Sequence, residues 1–505
     1  MNARRSAVVV FLALTGLAGC TPTRVSDRVP LTIPERWHSG PAIQSVSAPK
    51  DLSEWWQGFG DPVLNDLIVR ALAANQDLKI ASSRVREAAA LVTVAEAAFY
   101  PTLDFSVGGG REKRIDRVLP VPGNGGITLT TPRADAFTAG LIARWELDVF
   151  GSRHLEAEAA AAKALGSEEA RRAVQVGLLA QVATSYLELR GVQKQTAILR
   201  ENISVQQKRL QVLQSFFRLG LANRLDVTRQ EGLLRGSEAM LPVLMQGAAA
   251  LIHRLGVLLG EPPASLHTRL SESAPLPEPM PTIPELFPAD LLLQRPDLRL
   301  AQTEVSAAAA HLGMAKAELW PKIILAGSGG FGALALGGFP TLTESIYTLG
   351  SGLTAPLFNA GRIRAQISAG DARLDQAAAN YEKTFLIALE DVENAYVAHA
   401  SALERRDQLI RAESAADRSH TYAEAFYQRG ATDFLSVLDA QRTRLSASDE
   451  RTKAETAVRI SLVSIYRAFG GGWSGKYLVS QVDKATDGGD NFLLPVAADR
   501  DKANR

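Results

Sequence analysis

Residues 361–430 read GRIRAQISAG DARLDQAAAN YEKTFLIALE DVENAYVAHA SALERRDQLI RAESAADRSH TYAEAFYQRG. No proline interrupts the stretch from Gly361 to Gly430. A helix over 361–429 rises about 100 Å at ~1.5 Å per residue. Soluble helices average a few turns, so this length needs a special architecture. The apolar period is seven: Ile367, Leu374, Tyr381, Ala388, Ala395, Ala402 and Leu409 share one track, with Ala378, Phe385 and Val392 beside it. A sustained seven-residue repeat winds helices on their neighbours. The many alanines permit close approach on a second face.

The same plan occurs earlier in the chain. Roughly 68 proline-free residues precede Gly220, with Val182, Leu189, Thr196, Ile203, Leu210 and Phe217 on the track. Tyr186 matches Tyr396, Phe217-x-x-Gly220 matches Tyr427-x-x-Gly430, and Leu225-x-Val227 matches Leu435-x-Val437, all at an offset of 210. Asp77-Leu78 matches Asp297-Leu298, and Phe99-Tyr100-Pro101 matches Leu319-Trp320-Pro321, at 220. Duplication has to be recognised before any fold is assigned. Each half reads short helix, strand, loop, strand, long helix, tight turn, return helix. The first repeat spans 20–270, with a long helix over 151–219 and a return over 225–260. The second spans 289–473, with helices over 361–429 and 434–469. Between them, 271–288 is rich in proline (Pro275, Pro277, Pro279, Pro281, Pro284, Pro288), which excludes helix interior. The short helices Asp77–Phe99 and Asp297–Trp320 stack end to end with the returns, so that one long helix pairs with two short ones. Gly220 and Gly430 stop the long helices in a left-handed conformation. Asn223, and Asp433 or Thr432, are placed to cap the returns.

The segments between the helices alternate with period two. Leu103, Phe105 and Val107 oppose Asp104 and Ser106. Phe137, Ala139, Leu141, Ala143, Trp145 and Leu147 oppose Thr138, Gly140, Ile142, Arg144 and Glu146. Strands are expected near 102–110, 136–149, 322–332 and 347–358, the last weakened by Gly350, Gly352 and Pro356. Loops such as 111–133, rich in Gly and Pro, face outward from the cell. About ten residues of alternation suit a membrane β-strand. No stretch reaches 18 apolar residues, so no transmembrane helix is expected, and any crossing uses a closed barrel. Single-chain barrels start at eight strands, and a four-stranded sheet in lipid leaves two open edges. The chain therefore oligomerises: a dimer supplies eight strands and a trimer twelve.

Arg4 and Arg5 precede an apolar run over 7–19, which rises about 20 Å and is too short to span. That is the layout of a secretory signal peptide over 1–19. Leu17-Ala18-Gly19-Cys20 resembles the bacterial lipobox, in which the cysteine becomes the lipidated first residue. The expected modification of Cys20 is a diacylglycerol thioether plus an N-acyl chain. Thr21 stands where that pattern puts Asp for inner-membrane retention, so outer-membrane sorting is expected. A polar tail, 474–505, closes the chain.

Composition excludes several classes. The 505 residues carry 55 Lys+Arg against 54 Asp+Glu, with no basic footprint for nucleic acid. One Cys excludes an intramolecular disulfide and a Cys-rich zinc site. The seven His show no HExxH or i,i+4 pair. Gly327-Ser328-Gly329-Gly330-Phe331-Gly332 lacks the Lys-Ser/Thr and helix of a nucleotide loop. No nucleophile–base arrangement stands out, so no enzyme, metal or cofactor is expected.

In order along the chain come Trp55-Trp56-x-x-Phe59-Gly60-Asp61-Pro62, Asn75-Gln76-Asp77-Leu78, Phe150-Gly151-x-Arg153, Leu258-Leu259-Gly260-Glu261-Pro262-Pro263 and Pro288-Ala289-Asp290-Leu291-Leu292-x-x-Arg295-Pro296-Asp297. Then come Leu357-Phe358-Asn359-x-Gly361-Arg362, Val437-Leu438-Asp439-x-x-Arg442 and Gly470-Gly471-Gly472-Trp473. This series resembles the TolC-like outer-membrane efflux proteins, in the lipoprotein subgroup labelled NodT or OprM-like. The resemblance implies a mixed α and β homotrimer: a twelve-stranded barrel, a twelve-helix periplasmic tunnel and an equatorial belt. It implies a passive conduit for small molecules, drugs and toxic compounds, fed by an inner-membrane pump of the RND type through a periplasmic adaptor. It places a periplasmic gate at Leu435, Asp439 and Arg442. Leu435 and Asp439 are four apart on one helical face and Arg442 three further on. Three Asp439 carboxylates around an axis favour cations, and Arg442 neutralises the ring and latches it. Alone, the same spacing reads as a surface ion pair worth under ~1 kcal/mol. Arg224, Asp226 and Arg229 are first-hairpin tip contacts; Arg229 stands at the repeat position of Asp439. The turns Gly220-Leu221-Ala222 and Gly430-Ala431-Thr432 resemble adaptor-docking tips.

A lipid-anchored periplasmic coiled-coil scaffold without a pore accounts for Cys20 and the helices. It leaves two pairs of alternating strands at matching places of a repeat unexplained. The outer component of type I secretion shares the tunnel; the lipid signal and the quoted segments favour small-molecule efflux, by resemblance.

Overall fold

The computed structural model describes residues 25–40, 52–112, 117–119, 127–129, 134–336 and 339–473. Cys20, the signal segment 1–19 and the tail 474–505 lie outside the described residues. In chain order the main elements are α1 (Pro62–Ala74), α2 (Gln76–Ala97), β1 (Thr102–Glu112), β2 (Arg117–Leu119), β3 (Ile127–Leu129), β4 (Ala134–Leu147), α3 (Ser152–Arg218) and α4 (Arg224–Leu258). The second half follows with α5 (Pro296–Ala317), β5 (Lys322–Leu336), β6 (Phe339–Thr354), α6 (Arg362–Gln428) and α7 (Phe434–Ala468). The two long helices have 67 residues each and the two returns 35 each, so the duplication read in the sequence is a duplication of structure.

Two expectations shift. The fourth strand begins eight residues before the expected Tyr347 and ends four before Phe358. Its ladder needs only backbone groups, so Gly350 and Gly352 pair with Ala326 and Ile324, and Pro356 stops it. The loop 111–133 is not wholly irregular: β2 and β3 pair antiparallel within it. Among the described residues, α4 is the one helix long and apolar enough to cross a membrane by length and composition, a test that the core helix of a soluble protein also passes. Its apolar residues are spread around the helix: Leu234, Ile252 and Leu255 are buried, while Met240, Val243 and Met245 are exposed.

The chain forms two compact units, each drawing on both repeats. The first holds Ala81–Ala170 and Asp297–Phe385. Its four-stranded sheet runs β1-β4-β5-β6, antiparallel throughout, with β1 and β6 at the edges. The register puts Phe105 opposite Leu141 and Leu141 opposite Gly329, which faces Tyr347. That apolar face is bare: Phe105 is 72% exposed, Tyr347 88% and Leu349 89%. On the other face lie Ser106, Gly140, Gly330 and Ile346 in cross-strand file. A Cβ on Gly140 would come within 2.8 Å of the Gly329 carbonyl oxygen, so the strands approach more closely there than any side chain allows. At the base, Trp145 Nε1 donates to the Phe99 carbonyl at 2.8 Å. Phe150 stacks on Trp320 with centroids 5.3 Å apart. Gly151 (φ 75°) turns the chain into α3, where Arg153 clasps Glu146 at 2.9 Å and Glu156 at 2.8 Å.

The second unit holds Ile33–Ile80, Arg171–Pro296 and the chain from Leu386. Asp61 caps α1 by accepting from the Val63 and Leu64 amides, at 2.8 and 3.1 Å, and its other oxygen accepts from Tyr186 Oη at 2.5 Å. Trp55 stacks on Tyr466 at 5.1 Å. Arg295, 7% exposed, donates to the Ala468 carbonyl at 2.9 Å and to Asp391 at 3.0 Å. A proline-rich connector offers carbonyls and few N–H groups. Side chains supply the missing donors: Arg459 to Pro277 (2.7 Å), Tyr466 to Thr282 (2.5 Å), Tyr396 to Pro284 (3.4 Å) and Trp37 to Leu286 (2.6 Å). Trp473 Nε1 donates to Gln294 (3.1 Å), and Arg172 lies 4.4 Å over the Trp473 ring. The aromatic and glycine motifs of the sequence are thus the joints of this frame.

Candidate functional site at the hairpin tips

Both helical hairpins reverse by the same chemistry. After α3, the Gly220 amide donates to Phe217 (3.0 Å) and the Leu221 amide to Phe216 (2.8 Å). After α6, the Gly430 amide donates to Tyr427 and the Ala431 amide to Phe426, both at 2.9 Å. These are the paired bonds that close a helix on a left-handed residue. Gly220 has φ 73° and Gly430 φ 71°, with open space where a Cβ would stand, so backbone conformation alone demands glycine. Asn223 Oδ1 accepts from the Leu225 amide (3.0 Å) and Asp433 Oδ1 from the Ser436 amide (3.1 Å), satisfying the first donors of α4 and α7. Thr432 bonds Ser436 Oγ at 2.9 Å and is not the cap. The Ser436 bonds, with Arg229 helping, hold the Asp433 carboxyl below its ordinary range. Leu221 is exposed, Ala222 half-buried, Ala431 exposed and Thr432 half-buried.

The tips are held together by an apolar cluster of Leu213, Phe434, Val437 and Leu438, with Tyr427 and Val227 against it. α7 therefore turns Phe434, Val437 and Leu438 inward, and Leu435, Asp439 and Arg442 come out together on the exposed face. The three residues line a cleft of about 720 Å³. Arg229 of the first hairpin lines the same cleft, with Gly232 and Gly236. The structure thus brings Leu435, Asp439, Arg442 and Arg229 to one place. Among the described residues, Asp439 and Arg442 form no ion pair, with each other or elsewhere. Asp226 lies 4.0 Å from Arg229, while the Arg224 guanidinium has no ion pair among the described residues. Burial, then the Asp226 charge, pushes the Tyr427 hydroxyl up.

Sequence reasoning missed a clamp between the hairpins. Arg209 of α3 reaches Glu424 of α6 at 2.6 Å and Gln441 of α7 at 2.9 Å. It sits beside Leu210 of the heptad track, and a charged residue next to a buried seam is the one signal that pointed there.

A family-wide sequence profile described as outer membrane efflux protein matches residues 67–255 and 287–471, one match per repeat. The pyoverdine export outer membrane protein OpmQ of Pseudomonas aeruginosa is 32% identical over 478 residues, covering 94% of this chain and 98% of its own. The toluene efflux pump outer membrane protein TtgI of Pseudomonas putida is 30% identical, covering 92% and 98%. Among solved structures, the outer-membrane channel OprN superposes with a TM-score of 0.78 at 31% identity, over 90% of this chain and all of that one. CusC superposes at 0.75 and 25% identity, over 89% of this chain and all of that one. The fold and its paired hairpins are those of an outer-membrane efflux channel. The chain belongs to the outer membrane efflux protein family.

Proposed function

We propose that three copies close edge to edge into one twelve-stranded barrel, continued below by a tunnel of their long helices. The observation that carries this reading is the sheet: β1 and β6 end it with open ladders, and its apolar face is uncovered. In lipid each unpaired backbone group costs several kcal/mol, and joining β6 of one copy to β1 of the next removes every edge. Twelve strands leave an aqueous lumen, whereas eight are largely filled by side chains. Met240, Val243 and Met245, exposed on α4, gain cover from a neighbouring copy. The conduit passes small molecules outward. An inner-membrane pump of the RND type supplies the driving force, and a periplasmic adaptor joins pump to channel at the turns Gly220-Leu221-Ala222 and Gly430-Ala431-Thr432. The channel itself performs no covalent chemistry and needs no cofactor. Acyl chains on Cys20 anchor it to the inner leaflet of the outer membrane. Leu435, Asp439 and Arg442 narrow the periplasmic entrance, and Arg229 faces them from the first hairpin. Purified protein in a planar bilayer is expected to give stepwise conductance. Folded protein that inserts without current steps contradicts the channel.

A further inference from the structure

The first unit contains a cavity of about 990 Å³ between α3, α5 and α6, open to solvent on one side, with Lys163, His311 and Arg373 exposed at it. That volume is of the size that takes small organic ligands. One basic side chain reaches it from each helix: Lys163 from α3, His311 from α5 and Arg373 from α6. Lys163 and Arg373 are separated by 210 residues, the offset of the duplication, so the repeat has placed a cation at the same position of both long helices. The two helices flank α5 and aim both cations at one space. Gly166, Ala307, Ala369 and Gly370 keep the wall low.

The acidic groups nearby are largely committed. Glu318 is paired with Lys322 at 2.5 Å, and Glu156 with Arg153 at 2.8 Å. Glu304 accepts a long 3.4 Å bond from Asn380. Among the described residues, Lys163 and Arg373 have no carboxylate within ion-pair distance. Lys163 and Arg373 are thus the lining cations without an ion-pair partner, and Glu304 is the lining carboxylate without a cation. Desolvation, then the charges of Lys163 and Arg373, holds the His311 imidazole below its ordinary value, against the pull of Glu156. A neutral imidazole keeps one N–H to donate and one nitrogen to accept.

We propose that this cavity binds small organic anions bearing two or more carboxylates, with Lys163 and Arg373 taking the charged groups and His311 donating one hydrogen bond. The guanidinium grips a carboxylate through two parallel bonds and the ammonium acts as a point charge. That the bound anion is cargo in transit rests on the channel reading above; the binding itself does not.

The test uses benzene-1,3,5-tricarboxylate, titrated calorimetrically into the full chain in lipid nanodiscs, with the neutral tricarboxamide as control. Saturable binding is expected at one site per chain. Lys163→Gln and Arg373→Gln should each weaken it about tenfold, and together by more, as expected for losing charge-assisted bonds. Lys163→Arg, which keeps the charge at that position and leaves the Arg373 grip intact, should hold affinity within about threefold, which separates lost charge from lost fold. Equal affinity in wild type and the Gln double variant, no saturation by about 10 mM, or equal binding of the amide overturns the site. Conductance of the wild type without the probe reads the channel separately. Conduction without binding removes this site alone, and binding without conduction keeps it and removes the channel.

Discussion

Nη2 of Arg209 lies 2.6 Å from Oε1 of Glu424, joining α3 to α6 across 215 residues of sequence. The same guanidinium donates to Gln441 of α7 at 2.9 Å, so one side chain spans both hairpins just above the tips. Glu424 is partly exposed, which limits the pair to about 1 kcal/mol. Because both bonds must break if the hairpins part, Arg209→Ala should raise single-channel conductance or open probability at unchanged protein yield. Identical currents would show that the hairpins move as one body.

The proposed gate makes a second prediction. Asp439 and Arg442 stand on the exposed face of α7 without an ion-pair partner among the described residues. If they meet around a three-fold axis, Asp439→Ala with Arg442→Ala should raise conductance in a planar bilayer and weaken preference for cations. Conductance equal to wild type rejects the latch.

Arg295 supports the frame that fixes α7. Replacing it by Met leaves the Ala468 carbonyl without its 2.9 Å donor in a buried place. The expected cost is about 2 kcal/mol, read as a lower urea midpoint at unchanged slope. A midpoint equal to wild type would mean that water replaces the guanidinium.

Acid should loosen the helices by a predictable sign. Burial, with Arg406 adding, holds His399 below its ordinary 6.5, and burial likewise lowers His311 and His420. A histidine depressed in the folded state contributes stability above its unfolded value, and loses it as pH falls from about 6.5 toward the folded value. His399→Gln, which can keep the bond to Ser461 now at 2.8 Å, should lose less thermal stability than wild type between pH 7.5 and 5.5. Equal losses would assign the acid sensitivity elsewhere.

Much of this fold was legible because it rests on period and repeat. On the track from Ile367 to Leu409, Tyr381, Ala388 and Ala395 are buried and the residues at either end half-buried, and Val182, Leu189, Thr196 and Ile203 are buried as expected. Leu210 is half-buried, and Phe217, in the last turn of α3, is on the same track yet exposed. The early start of β6 was hidden because pairing with β5, not side-chain pattern, carries a glycine-containing strand. Arg209 and the carbonyl acceptors of the connector were hidden for another reason: each partner lies more than a hundred residues away, where no local spacing points.

The size of the native assembly tests the central claim most directly. Native mass spectrometry of the detergent-extracted chain should give three copies per particle, with the edge of β6 in one meeting β1 of the next. A folded, stable monomer with its apolar sheet face covered from within would contradict it.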